Sequence, residues 1–319
     1  MNIVLRKSSI LATGTIFITL FLIGCSGKPS FGQDINGKFV YSSIRGEKTG
    51  TYVWEDGKEK PILMGRYSSP IWLSSGSKIA CGVEGRFAKR NDNGILITDE
   101  KGSELEFIKT DSVPLNLSIS KNDLKIAYSG HAKEDISVTK IMVFDISKRM
   151  NIKVFESPKK SYITQASISP DGGKVIFEMS PQNGEKIELY LIDTDGSNLK
   201  LLFAGKTPAW LPDSKHIIFL SNKIEPHKES LVDLGYFYKY NIETGELIKL
   251  RPCTRWIDYL RVSQDGKYIY YTTLAFGGTG KMVYVSALDG EGKEVQVTKP
   301  VLNGRNYSQD YNPDWFQGS

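Results

Sequence analysis

Histidine is scarce in this chain, with only His131, His216 and His227 in 319 residues. That leaves little material for a histidine-rich metal centre or for a general base beside a nucleophile. Cysteine is equally rare: Cys25, Cys81 and Cys253, with no CxxC pair, which excludes ribbon-type zinc sites and thioredoxin-type redox motifs. Cys81 sits in the apolar stretch SKIACGV and Cys253 follows Pro252 in a loop pattern, environments too different to predict a disulfide between them. No serine stands in a G-x-S-x-G elbow. The glycine-rich AFGGTGK lacks the full phosphate-loop pattern and its strand-to-helix context. The formal charge of +5 is small and interspersed, which argues against nucleic acid as a partner. No stretch of ten or more residues carries a helical period as strong as the strand signals below.

What the chain does have begins at its start. Arg6 and Lys7 precede the apolar run ILATGTIFITLFLIG, long enough for export yet short for a stable membrane span. The run ends in Leu22, Ile23, Gly24 and Cys25, and it resembles a bacterial lipoprotein signal. That resemblance implies cleavage after residue 24, lipidation of Cys25, and attachment to a membrane by the acyl chains alone. Residues 25–33 then read as the lipidated cysteine and a short polar tether.

From residue 34 to 319 the sequence repeats itself. PIWLSSGSKIAC from Pro70, LSISKNDLKIAY from Leu117, ASISPDGGKVIF from Ala166, PAWLPDSKHIIF from Pro208 and LRVSQDGKYIYY from Leu260 superpose without gaps. The third column holds Trp72, Ile119, Ile168, Trp210 and Val262. Seven residues on stand Ile79, Ile126, Val175, Ile217 and Ile269, and two further on Cys81, Tyr128, Phe177, Phe219 and Tyr271. A partial copy supplies Phe39 and Tyr41 in the last two columns, and the Phe39 column recurs after 40, 47, 49, 42 and 52 residues. Equal registers inside unequal repeats indicate one local unit separated by variable loops.

Each unit reads as two strands joined by a tight turn, because Pro170, Asp171 and Gly172, or Pro212 and Asp213, have turn chemistry between branched and aromatic runs. Third strands follow (TYVWED, GILITDE, KIMVFDIS, ELYLIDTDG) and then fourth strands (KPILM, ELEFIK, NIKVF, LKLLF). The segments SISPDGGKVIFEMS, WLPDSKHIIFLS, VSQDGKYIYYT and IELYLIDTDG resemble the repeat of the TolB-like propellers, the WD40-like PD40 family. The expected fold is therefore all-β: a six-bladed β-propeller of four-stranded antiparallel blades. Ser74 and Ser75, and Lys121 and Asn122, replace the Pro-Asp of the pattern and put those two turn geometries in question. NPDWF near the C-terminus matches a first strand, with Pro313 and Trp315 in the columns of Pro70 and Trp72. It is expected to complete the N-terminal blade, whose own first strand is missing.

Alternating strand direction places the loops between second and third strands, and those between blades, on one face. Arg86, Arg90, Tyr162, Arg255, Trp256, Tyr259 and Tyr307 fall on that face and form the candidate binding surface, since aromatics and arginine suit protein contacts. Asp193 and Asp195 read as turn formers, and His216 as structural beside its turn. His131 with Glu134 and Asp135, and His227 with Glu225 and Glu229, lack a metal-binding spacing, so neither a metal nor a cofactor is expected. The residues favour an exported binding or scaffolding module with an envelope or cell-surface protein partner over an enzyme. The site is the periplasm or the outer cell surface according to the host envelope. The resemblance also extends to exported propellers that act on glycans, so carbohydrate binding or metal-dependent polysaccharide lyase activity is the alternative.

Overall fold

The computed structural model describes residues 35–317 apart from 88–89, 133–134, 182–185, 222–234, 275–279, 292–293, 300 and 304–305. The leader, Cys25, Glu134, His227 and Arg305 lie outside the described residues. Strands β1 (Lys38–Ile44), β2 (Gly50–Glu55) and β3 (Lys58–Met64) form an antiparallel run. Next come two sheets of four antiparallel strands. One holds β4 (Tyr67–Trp72), β5 (Lys78–Val83), β6 (Gly94–Asp99) and β7 (Glu104–Lys109); the other holds β8 (Leu115–Ile119), β9 (Lys125–His131), β10 (Thr139–Asp145) and β11 (Met150–Glu156). Two more are built from β12 (Ser161–Ile168), β13 (Lys174–Pro181), β14 (Glu188–Asp193) and β15 (Lys200–Ala204), and from β16 (Lys206–Trp210), β17 (His216–Ser221), β18 (Tyr236–Asn241) and β19 (Leu247–Pro252). The pattern recurs in β20 (Ile257–Val262), β21 (Tyr268–Leu274), β22 (Lys281–Ala287) and the short β23 (Val295–Gln296). A small hairpin, β24 (Leu302–Asn303) and β25 (Asn306–Tyr307), precedes β26 (Gln309–Phe316).

β26 pairs antiparallel with β1, with Trp315 opposite Phe39, and meets β22 through a single parallel pair, Lys281 and Gln309. That one pair joins two four-strand groups into an eight-stranded sheet. The first strands of consecutive groups touch in a cycle: β26 against β4, β4 against β8, β8 against β12, β12 against β16, β16 against β20, and β20 against β26.

The turns between first and second strands explain why the register survives sequence change. Each is closed by an i to i+3 backbone bond, from Gly76 N–H to Leu73, Asp123 to Ser120, Gly172 to Ser169, Ser214 to Leu211 and Gly266 to Ser263. The donor residue has positive φ in every case, between 56° at Asp123 and 76° at Gly172. The two turns that lack Pro-Asp keep this geometry, because what the turn needs is a left-handed residue at its last position and a polar side chain to cap it. Asn122 Oδ1 accepts from Leu124 N–H at 3.2 Å as Asp171 Oδ1 accepts from Gly173 N–H at 2.9 Å.

The apolar columns of the repeat become the core between sheets. Phe39, Ile79, Ile126, Val175, Ile217 and Ile269 are fully buried, as are Tyr41, Cys81, Tyr128, Phe177, Phe219 and Tyr271 to within 2%. Clusters bridge neighbours: Ile71 and Ala80 pack with Leu117 and Ile126, and Ile176 and Leu189 with Trp210 and Ile217. Cys81 and Cys253 are both free and buried; burial pushes the Cys81 thiol up to about 12, so it packs as a small apolar side chain.

The seam between β1 and β26 also contains ions. Arg45 forks onto Glu59 at 2.5 and 2.7 Å, and lies 3.4 Å from the fully buried Asp310, which accepts from Ser43 Oγ at 2.5 Å. Burial pushes the Asp310 carboxyl up to about 6 from 3.8, against the pull of Arg45 and Ser43. A raised folded-state value means the native state holds this proton more tightly than the unfolded chain. Its contribution to stability is thus complete below pH 4 and is lost as pH rises from about 4 to about 6. Two pKa units correspond to about 3 kcal/mol. Asp310→Asn is expected to gain up to that amount relative to the wild type between pH 4 and pH 7, measured by urea unfolding at both pH values.

Candidate functional site

Every first strand carries a register shift against its partner, at one position of the repeat. The residues three before the tryptophan column are Ser69, Asn116, Gln165, Thr207, Tyr259 and Asn312, and four of them have positive φ: 46° at Ser69, 53° at Asn116, 52° at Thr207 and 46° at Asn312. Such bulges re-aim side chains, and here they link neighbouring first strands. Asn116 N–H and Asn312 Nδ2 both donate to Ser69 Oγ at 2.8 Å, and Asn116 Nδ2 donates to the Thr164 carbonyl at 2.8 Å.

Two positions further on stand Ile71, Ser118, Ser167, Ala209, Arg261 and Asp314. Ser118 Oγ accepts from Ile168 N–H at 2.9 Å, and Asp314 Oδ2 accepts from Trp72 N–H at 2.7 Å, the same bond made from one unit to the next. Asp314 Oδ1 also accepts from Tyr270 O–H at 2.9 Å and lies 3.7 Å from Arg261 Nη1. Arg261 Nε donates to Tyr259 Oη at 2.5 Å, and its Nη2 donates to the Leu117 carbonyl on β8, the first strand of the unit three places away around the cycle. Burial opposes the Arg261 charge, but Tyr259, Asp314 and Tyr270 outweigh it and its pKa is raised. These groups floor a cavity of about 390 Å³ that opens towards the first-to-second strand turns, walled by Trp72, Ile119, Ile168, Trp210, Val262 and Trp315.

The opposite rim holds the residues expected from sequence. Arg86 is exposed and pairs with Glu84 while its guanidinium lies 4.6 Å over the Phe87 ring. Arg90 pairs with Glu104 and lies 4.6 Å over Phe107. Arg255 bonds Glu294 and lies 4.6 Å over Tyr284. Trp256 is 50% exposed, donates from Nε1 to Asp258 at 2.9 Å, and has Lys206 Nζ 4.2 Å above its ring. Tyr162 is half-buried beside Asn116, His131 and Thr164. Tyr307 is placed on β25 through its backbone. Tyr259 departs from expectation: it is 5% exposed, because it occupies the bulge column and turns inward to Arg261. The rim brings these groups to one face but not into one pocket.

Sequence reasoning did not single out exposed aliphatic residues on the same rim. Ile44 and Leu274 end the second strands β1 and β21, Phe87 and Ile136 follow β5 and β9, and all four are exposed, Ile136 at 79%. It also missed Arg261 and Asp314. The available signal was their column, where two opposite charges interrupt Ile71, Ser118, Ser167 and Ala209. His131 Nδ1 lies 2.9 Å from the Ile136 carbonyl, and His216 Nδ1 lies 2.6 Å from Asp213 Oδ2, the structural role expected of it. Asp195 Oδ1 accepts from Ser197 N–H at 2.9 Å, as a turn former does. Among the described residues no three His, Cys, Asp or Glu side chains converge, and no helix is long and apolar enough to cross a membrane.

No family model matches the chain, and no curated protein matches its sequence. Solved structures do match. TolB from Acinetobacter baumannii superposes with a TM-score of 0.64 at 19% identity, over 88% of this chain and 66% of that one. An oligogalacturonate lyase from Vibrio parahaemolyticus gives 0.57 at 14% identity, over 81% of this chain and 74% of that one. An oligogalacturonate lyase in complex with manganese gives 0.59 at 14% identity, over 84% of this chain and 75% of that one. This chain therefore spans about two thirds of the TolB length. At these identities the likeness establishes an all-β propeller fold of TolB-like type and nothing finer.

Proposed function

We propose that this chain is a lipid-anchored binding propeller that captures an envelope or cell-surface protein on the rim formed by its second-to-third strand loops and the loops between its blades. In this reading six four-stranded blades form a ring, closed where β26 completes the blade of β1, β2 and β3. The cycle of touching first strands and the β1–β26 ladder support that arrangement. Cys25 carries the lipid and holds the ring outside the cytoplasm, so that Cys25→Ala moves the protein from the membrane to the soluble fraction.

The observation that carries the binding role is the composition of the rim. Half-exposed Trp256 and exposed Phe87, Ile44, Ile136 and Leu274 share the strand ends and loops of this rim with Arg86, Arg90 and Arg255. Apolar anchors surrounded by charge are the anatomy of a protein contact surface. Aromatic rings under guanidinium groups also hold the arginines in place before a partner arrives, which lowers the ordering cost of association. The joint substitution of Arg86, Phe87 and Trp256 by alanine is expected to reduce partner capture from the native envelope at least tenfold, about 1.4 kcal/mol, with an unchanged melting temperature. Undiminished capture by a folded triple variant overturns the rim assignment. Release of unsaturated sugar ends from a polysaccharide panel would instead favour the glycan reading.

A further inference from the structure

Where β12, β13 and β16 meet, a buried carboxylate stands beside two buried side-chain oxygens that have no hydrogen-bond partner among the described residues. Glu178 on β13 is 5% exposed; its Oε2 accepts from Thr164 Oγ1 at 2.6 Å and its Oε1 from Thr207 N–H. Gln165 on β12 is the direct partner of Glu178 across the ladder, so the two side chains leave the sheet on the same face. Gln165 Oε1 and Thr207 Oγ1 are buried without a hydrogen-bond partner among the described residues, in side chains 6% and 2% exposed. Thr207 has its amide bonded to the Glu178 carboxylate, which keeps its hydroxyl beside that group.

Buried polar atoms are nearly always paired, and an unpaired one costs about 1 to 3 kcal/mol. A carboxylate, an amide oxygen and a hydroxyl oxygen are the ligand types of a hard cation, and the amide and hydroxyl oxygens here are the two left unpaired. Lys206 acts on the carboxylate through space, but its ammonium sits over the Trp256 ring rather than against Glu178. We propose that Glu178, Gln165 and Thr207 form a buried site for a hard, oxygen-seeking cation, sodium or calcium, that fastens the sheet of β12–β15 to that of β16–β19. Burial raises the Glu178 carboxyl above its usual range, and a bound cation holds it ionised. Thr164, whose hydroxyl touches the carboxylate, is itself exposed and lines the depression beside Tyr162 and Asn116, which gives an ion a short path inward.

A ligand that binds only the folded state raises its stability by mass action. Thermal unfolding of the full chain, freed of metal by chelator, is measured in sodium chloride, calcium chloride or choline chloride at one ionic strength. The melting temperature is expected to rise by several degrees, saturably, in sodium or in calcium relative to choline. Glu178→Gln and Gln165→Leu should each remove that rise. Gln165→Leu keeps the carboxylate and both its donors, so it answers even if Glu178→Gln fails to fold. Equal melting temperatures in the three salts overturn the site, and so does a rise that persists undiminished in a folded variant.

Discussion

Removal of the chain from Asn312 onward is expected to lower the free energy of unfolding by on the order of 5 kcal/mol, read from urea or thermal unfolding. The segment is most of the strand that faces β1, and it carries Trp315. That indole stacks on Phe39 with centroids 5.1 Å apart, meets Tyr268 and Tyr270 edge-on at 5.8 and 6.1 Å, and donates to the Asn36 carbonyl at 3.1 Å. Phe39 and Tyr41 are otherwise buried, so truncation also exposes the apolar face of β1 and a new sheet edge. Trp315→Ala alone should account for about 3 to 5 kcal/mol. A melting transition unchanged by truncation would mean that the β1–β26 ladder does not hold the two ends of the chain together.

The second large effect is expected at Arg261. Its guanidinium reaches from β20 to the Leu117 carbonyl on β8 at the floor of the cavity and faces Asp314. Removing one member of a buried pair leaves the other charge uncompensated, a loss of 3 to 5 kcal/mol when burial is complete. The Arg261 side chain is 19% exposed to the cavity, so the partner carboxylate retains some hydration and about 2 to 4 kcal/mol is the expected cost of Arg261→Met. The double variant with Asp314→Asn should recover part of it, because the orphaned charge goes too. A double-mutant cycle in which the two losses simply add would show that the pair is not coupled.

The strands and their order were legible because the repeat fixes two buried columns, running from Phe39 and Tyr41 to Ile269 and Tyr271, and every residue in them is buried to within 2%. The pairing of the Trp315 strand with β1 was legible for the same reason, since Trp315 sits in the Trp72 column. Turn geometry was more robust than Ser74–Ser75 or Lys121–Asn122 suggested, because it depends on one left-handed residue and a cap rather than on Pro-Asp. Side-chain direction at the first-strand bulges was not legible. Tyr259 reads as one more rim aromatic after Trp256, yet a bulge turns it inward while Trp256 stays half-exposed. Glu178 reads as an alternating polar residue of a strand, and only contact with Thr207 of the next unit reveals its burial. Contacts between units depend on distances that a repeat column does not encode.

The rim assignment is tested most directly by site-specific crosslinking in the native envelope, with a photoreactive side chain replacing Trp256 on the rim or Leu124 on the opposite face, 46% exposed in the β8–β9 turn. The expected result is a discrete protein adduct from position 256 and none from position 124. An adduct from position 124 alone would place the partner on the turn face and contradict the account.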